Sequence, residues 1–250
     1  MHGKDGDAVV SRFDSEARDF ARSPFHRDPE RLKRFLDLAA PGPDEEALDI
    51  ACGPGIVAAA LRERGAAVTA VDLTPGMLRE AQGSGARLLR ADALRLPFKD
   101  ACFDLVLCRN SFHHFPDPPM AFAEAARVLR SGGRLAYEDM AAAEDLPERD
   151  LQETIERLRD RAHARTLPPG EVRGLVAAVG LEVTAQHLVP MTVDFDEWID
   201  RPRPSAAARA RARSLMETRR DAPAGTLRSF VEAGRLRFER NSLLLVAVKR

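Results

Sequence analysis

Cysteine is scarce: Cys52, Cys102 and Cys108 make an odd count with no C-x-x-C pair. A disulfide framework or zinc ribbon is therefore excluded, no metal site is expected, and the thiols predict a reducing cytoplasm. Long hydrophobic runs are missing too. The best, Ile50 to Leu61, is 12 residues and contains Gly-Pro-Gly, too short and too broken for a membrane span. Neither sign of charge dominates: 38 basic and 39 acidic residues leave a net charge of −1, so no global positive field recruits nucleic acid. The first seven residues are polar and contain acids, which predicts no signal peptide. What is present is 250 residues of ordinary globular composition. That length suits one α/β domain, or one domain plus a lid, with a core large enough to fold unaided.

Three zones separate along the chain. Residues 1–43 carry helical spacing: Phe13, Ala17, Phe20 and Ala21 recur at three- and four-residue steps, and Leu32, Phe35 and Leu36 follow before Pro41-Gly42-Pro43 stops the pattern. From Ala47 to Met140, apolar strands alternate with helices. The strands are Ala47–Ala51, Ala67–Val71, Ala86–Arg90, Phe103–Cys108 and Arg134–Glu138; the helices are Ile56–Arg64, Pro75–Gln82 and Pro119–Leu129. Such alternation implies βαβ crossovers and a parallel sheet covered on both faces. Later, a helix over Arg149–Arg165 precedes one that ends at Gly180, a left-handed cap. Strands Leu181–His187 and Ser242–Lys249 then bracket about fifty residues read as a helical cap, near 195–237.

The stretch Ala47-Leu-Asp-Ile-Ala-Cys-Gly-Pro-Gly runs from a buried strand into a loop and then a helix. Gly53 and Gly55 let backbone approach a ligand in the crevice beyond the strand ends. Asp49 puts a carboxylate inside an apolar strand, which is costly unless paired. It either accepts loop amides or faces a cationic group on a ligand. Asp72 ends the next strand, 17 residues beyond Gly55. A carboxylate there can accept both hydroxyls of a ribose, or it caps the helix starting near Pro75. Met77 offers a soft apolar surface for an adenine face. Asp92, at the third strand end, can accept from an exocyclic amine or serve as a turn residue. Gly53-Pro-Gly55-Ile-Val-Ala58 also fits the dinucleotide pattern G-x-G-x-x-[GA], with Asp72 near the ribose spacing. A nicotinamide site explains neither Asp49 nor Asp92. The acid series suits a ligand with an amine, a ribose and an adenine but no pyrophosphate, and S-adenosylmethionine is one.

Taken together, Asp49 to Gly55, Val71-Asp72, Asp92-Ala93, Leu96-Pro-Phe98, Phe103-Asp104-Leu-Val, Phe112-His-His-Phe115 and Glu124-x-x-Arg127-Val-Leu-Arg-Ser-Gly132-Gly133 resemble the successive motifs of class I S-adenosylmethionine-dependent methyltransferases. The likeness is strongest to the small-molecule branch containing ubiquinone and menaquinone C-methyltransferases, over about residues 10–140. Ala51 stands where the wider superfamily usually has Gly. The resemblance implies a Rossmann-like, seven-stranded, mostly parallel sheet with its last strand antiparallel and helices on both faces. Residues 1–43 would form a helical lid on a methyltransferase domain spanning 44–250. It implies cofactor contacts from Asp49, Ala51, Gly53, Pro54, Gly55, Asp72, Leu73, Met77, Asp92, Ala93 and Arg109, with Cys108, Arg109 and Asn110 bordering the sulfonium. The product would be S-adenosylhomocysteine.

Methyl transfer from a sulfonium is in-line displacement, so the protein's main task is alignment and water exclusion. His113 and His114 are the candidate bases, set against a purely structural His-His-Phe turn. Tyr137, Glu138 and Asp139 follow the fifth strand and are candidates to face the acceptor, either acid alternatively capping the next helix, while His163 and His187 are expected in the cap or on the surface. The expected partner is a small organic acceptor, with a homodimer left open. The run Arg201–Arg220 holds seven arginines and one acid. It is read as the solvated face of a cap helix, the alternative being an RNA acceptor; it lacks aromatics for base stacking. A third reading keeps the cofactor pocket without methyl transfer.

Overall fold

The computed structural model describes residues 4–223 and 227–250. Residues 1–3 of the polar leading segment and 224–226 of the expected cap lie outside that range.

Three helices come first: α1 (Lys4–Arg22), α2 (Pro24–Arg27) and α3 (Pro29–Ala39). Asp28 separates the last two. Its carboxylate accepts the N–H groups of Glu30 and Arg31, and Pro29 fills the first helical position, where a missing N–H costs nothing. The alternating part follows as β1 (Glu46–Ile50), α4 (Ile56–Glu63), β2 (Ala67–Asp72), α5 (Pro75–Glu80), β3 (Arg87–Arg90), β4 (Phe103–Arg109), α6 (Pro118–Val128) and β5 (Leu129–Ala141). It continues with α7 (Leu146–Arg159), α8 (Pro169–Ala178), β6 (Leu181–Asp194), α9 (Phe195–Ile199), α10 (Ala206–Glu217), β7 (Ser229–Glu232) and β8 (Arg235–Lys249).

The sheet order is β3-β2-β1-β4-β5-β8-β6, with β7 paired to β8 off that path. The first five strands run parallel. β8 lies antiparallel between β5 and β6. The seven expected strands therefore form the path, and β7 is an eighth. Period-two alternation shows why both faces need helices. Leu48 and Ile50 of β1, with Val106 and Cys108 of β4, enter one core, while Ala47, Leu105 and Leu107 enter the other, against α3 and α4. Gly180 has φ +77° and closes the segment after α8, as its sequence position suggested.

The interval read as a continuous helical cap is a mixture. α9 and α10 occupy its first half; its second half carries β7 and the start of β8. Leu236 and Phe238 are buried while Arg235, Arg237 and Glu239 are not, a strand pattern that charge density masked. β6 and β8 pair as far as Asp194 opposite Arg237, beyond β5, whose pairing with β8 ends at Asn241. A third apolar cluster forms there from Ile155, Phe195, Trp198, Ala212, Met216 and Phe238, among others. Among the described residues, no helix is long and apolar enough to cross a membrane.

Candidate functional site

The loop after β1 is built on three left-handed residues: Ala51 (φ 52°), Gly53 (φ 53°) and Gly55 (φ 78°). Ala51 adopts a conformation that favours glycine, which gives a physical reason for the residue usual at that position. The two glycines serve different needs. At Gly53 an added Cβ would meet only Met77 Sδ, at 4.0 Å; at Gly55 it would sit 3.0 Å from the Ala81 Cβ. Gly55 thus serves close packing of α4 on the turn after α5, and it does not line the cavity described below. Asp49 lies beneath the loop. It is 1% exposed, and its Oδ2 has no hydrogen-bond partner. Burial, then the nearby Asp72 charge, against a backbone hydrogen bond from Ala58, push its carboxyl up to about 8.

Asp72, at the end of β2, holds two turns at once. One carboxylate oxygen accepts the Gly53 N–H at 2.9 Å, the other the Thr74 N–H at 2.8 Å. The Thr74 hydroxyl and the Leu73 N–H also act on this carboxylate as hydrogen-bond donors. Burial raises its pKa, and the backbone donors work against that rise. Asp92 accepts the Leu94 N–H at 2.9 Å in a tight turn. Met77, on α5, is buried against the Gly53 side of the loop.

The opposite wall comes from β4 and β5. Arg109 donates from Nε to Glu138 at 2.6 Å and from Nη1 to the His26 carbonyl at 3.1 Å; its Nη2 is buried without a partner. Glu138 also accepts from Arg31 at 3.1 Å. Asp139 grips the His113 residue twice: Oδ1 meets ring Nδ1 at 2.7 Å, and Oδ2 accepts the backbone N–H at 3.0 Å. With Nδ1–H donating to the carboxylate, Nε2 keeps its lone pair. His114 is different. Its Nδ1 lies 2.9 Å from the Ala162 carbonyl, and burial, then neighbouring His113, hold it well below the usual histidine range. It is a neutral donor there. His163, expected in the cap or on the surface, is buried beside them, its ring 6.0 Å from His113 and its Nε2 3.2 Å from Glu153.

These parts meet around one cavity of about 790 Å³, a volume suited to a cofactor and a small co-substrate. Of the residues singled out in the sequence, Ala51, Gly53, Pro54, Asp72, Leu73, Met77, Asp92, Ala93, Arg109, Asn110, His113 and His114 line it. Asp49, Gly55 and Cys108 do not. Tyr137 is core, packed on Phe112 at 5.0 Å, and Glu138 and Asp139 act through the residues they hold. Phe13 and Phe20 form part of the roof, with Phe13 edge-on to His114 at 4.8 Å.

Sequence reasoning missed a second set of lining residues, from α2, α7, α9, the segment after α9, and β8: His26, Arg159, Trp198, Arg201 and Arg240. The sequence reads the arginine run as one solvated face. Arg209 instead pairs with Asp196 and Asp200, both at 2.7 Å, Arg213 with Asp196, Arg219 with Glu148, and Arg203 with Asp19 at 2.9 Å. Arg201 turns inward. α10 does pack through Ala212 and Met216, as its apolar positions implied.

Residues 48–137 match the family described as Methyltransferase domain. Over 184 residues the chain is 32% identical to a malonyl-[acyl-carrier protein] O-methyltransferase of Serratia marcescens, covering 72% of this chain and 70% of that one. The chain belongs to the class I S-adenosylmethionine-dependent methyltransferases. This methyltransferase is also 42% identical over 119 residues to the demethylmenaquinone methyltransferase of Thermus thermophilus, a match that spans 44% of its own length and about half, 54%, of its relative's. The solved YcgJ protein of Bacillus subtilis superposes with a TM-score of 0.77 at 26% identity, covering 88% of this chain and 97% of that one. S-adenosylmethionine is the cofactor, and the cavity fits it. Asp72 presents a carboxylate to it, the Gly53 turn leaves open space, and an apolar side chain stands at Met77.

Proposed function

We propose that the enzyme methylates a small organic acceptor, with His113 receiving the acceptor's proton. The observation that carries this is the His113–Asp139 pair, joined at 2.7 Å on the wall of the same cavity that Asp72 and the Gly53 turn line. When bound, S-adenosylmethionine supplies a methyl group already activated on a sulfonium. The chain's residues bind and orient it. Asp72 takes the ribose hydroxyls, Met77 and Leu73 flank the adenine, and Asp92 with the Ala93 N–H meets its edge. Ala51, Gly53 and Pro54 border the methionine portion over Asp49. Arg109 stands at the acceptor side, held by Glu138. The roof of Phe13 and Phe20 supports a lid role for the described part of the 1–43 segment, excluding water.

His113 has what a general base needs: a ring fixed by a carboxylate, with its other nitrogen left as acceptor. The three free thiols, Cys52, Cys102 and Cys108, support a reducing, cytoplasmic setting. Turnover of methyl-labelled cofactor against a panel of hydroxyl, amine and acidic-carbon acceptors tests the reading. Label passing to a small acceptor, and failing to do so after His113→Asn, is the expected result. Label transfer to RNA alone, or full turnover by His113→Asn, would overturn it.

A further inference from the structure

The two ends of the cavity differ in charge. Asp72 and Asp92 line the strand-end side. Four other lining residues are arginines from β4, α7, the segment after α9, and β8: Arg109, Arg159, Arg201 and Arg240, while Arg31 of α3 shares Glu138 with Arg109 from outside the lining. Their carboxylates are too few. Glu138 serves both Arg31 and Arg109, at 3.1 and 2.6 Å. Glu156 serves both Arg159 and Arg240, at 3.2 and 3.5 Å. Asp139 adds a third negative charge within electrostatic reach of Arg240, but it is already engaged by His113. Arg201 has no carboxylate at ion-pair distance among the described residues. Its guanidinium lies over the Phe25 ring, 4.6 Å from the centroid. Glu197 also acts on it electrostatically, but that side chain is exposed and pairs with Arg235.

Burial and positive neighbours act together on two of these groups. Burial, then Arg159 and Arg240, bring the Arg201 guanidinium down to about 10. Burial, then Arg201 and Arg109, hold His26 well below the usual histidine range. Donors are also left over. The Arg109 Nη2 and the Trp198 indole N–H are both buried without partners, on residues that line the cavity. Trp198 is 3% exposed and lies beneath the Arg159 guanidinium, 4.7 Å away. An apolar floor with surplus N–H donors and surplus cations suits one ligand type.

We infer that Arg201 and Arg240, with Arg159 and Trp198, form the acceptor subsite, and that the acceptor is an organic anion: a carboxylate or phosphate on an apolar body. This rests on the methyltransferase reading above and names its substrate class. The anion would sit among the arginines with its apolar part against Trp198 and the Phe25 side of the lid, directing the remaining end of the molecule toward His113.

The test is calorimetry on the full chain saturated with S-adenosylhomocysteine, at fixed ionic strength. The probes are benzoate, 4-hydroxybenzoate, hexanoate and phenyl phosphate, each beside its neutral amide or alcohol. At least one anion should bind ten-fold or more tighter than its neutral partner. Arg201→Met should lose ten-fold or more of that affinity and Arg201→Lys less, while S-adenosylhomocysteine affinity stays within about three-fold. Because Arg201 carries no ion pair, its loss should leave melting nearly unchanged; a circular-dichroism melt checks this. Neutral and anionic probes binding alike, no anion binding at all, or Arg201→Met binding anions undiminished would each overturn the inference. Failure of S-adenosylhomocysteine to bind the unaltered protein would instead strike the cofactor reading, and the anion titrations, run without it, still decide the subsite.

Discussion

Asp14, on α1, caps a helix to which it does not belong: its Oδ1 accepts the Gly76 N–H in the first turn of α5, at 2.5 Å. Thr74, next to that helix, makes no side-chain cap bond of its own. Arg79 of α5 adds an ion pair to Asp14 at 3.3 Å. The roof helix is thereby tied to the helix that carries Met77. Space at the joint is tight, since a Cβ on Gly76 would lie 2.7 Å from Asp14 Oδ1 and 2.9 Å from its carbonyl oxygen.

Gly76→Ala should therefore lift α1 from the cavity. Calorimetry should read a roughly ten-fold loss of S-adenosylhomocysteine affinity. The melting temperature should fall only a few degrees, on the order of 2–4 °C for each kcal/mol in a chain of this size. Asp14→Ala, which deletes the cap, should cost about 1 kcal/mol. Unchanged affinity in both variants would deny α1 any part in holding the cofactor.

The buried Asp49 makes a pH prediction. Its folded-state pKa, about 8, lies far above the ordinary carboxylate value. The folded state therefore keeps a proton that the unfolded chain has already released. Its contribution to stability is complete below about pH 4 and is lost as pH rises toward 8, at up to about 1.4 kcal/mol per pH unit. Asp49→Asn should flatten that decline and leave the ligand-free protein more stable than the parent at pH 8–9. Urea unfolding at a series of pH values would read the slope. Identical slopes in parent and variant would mean that Asp49 is already ionised.

Asp139→Asn leaves the His113 ring without its carboxylate. We expect kcat to fall by about 10²-fold or more, with S-adenosylhomocysteine affinity within three-fold of the parent. The loss should fall on kcat, with KM for the acceptor within three-fold of the parent, because Asp139 orients the His113 ring and does not touch the acceptor. A purely structural Asp139 would alter melting and leave kcat in place.

Asp72→Ala should remove cofactor binding, but the fold will register the change too. The side chain accepts two backbone N–H groups, from Gly53 and Thr74, and losing charged acceptors of buried donors costs on the order of 1–3 kcal/mol each. Calorimetry and a thermal melt on the same sample separate the two effects. Undiminished affinity would remove the ribose assignment.

Ala51→Gly relieves a left-handed alanine, at φ 52°. Relief of about 1–2 kcal/mol, offset by the greater chain entropy of glycine, should leave a gain of about 0.5–1 kcal/mol in urea unfolding. A loss of stability would show that the strain is absorbed elsewhere in the loop.

How much of this could be read from the residues depends on locality. Asp72 and Asp92 end strands, and strand ends in a parallel sheet converge on one crevice, so their meeting was legible. Gly55 was legible as a glycine but not in its purpose, because the Ala81 it packs against is set by the path of α5. Glu138 and Asp139 could be seen as buried acids at a strand end. Their partners, Arg31 and His113, are separated from them by loops of unpredictable course. Arg201 and Arg240 were illegible for the same reason. A run of arginines gives no sign of which member turns inward until the acids that neutralise its neighbours, Asp196, Asp200 and Glu148, are fixed in space.

The antiparallel strand also sets an order of assembly. β8 lies between β5 and β6, both of which precede it in the chain. During synthesis one edge of β5 and the whole pairing edge of β6 wait as unsatisfied hydrogen-bonding rows, open to the wrong neighbour. The last strand therefore works as a keystone. Slow translation or early truncation ahead of Arg235 would leave two sticky borders rather than a slightly smaller sheet, and aggregation on the ribosome, more than lost activity, would be the first symptom.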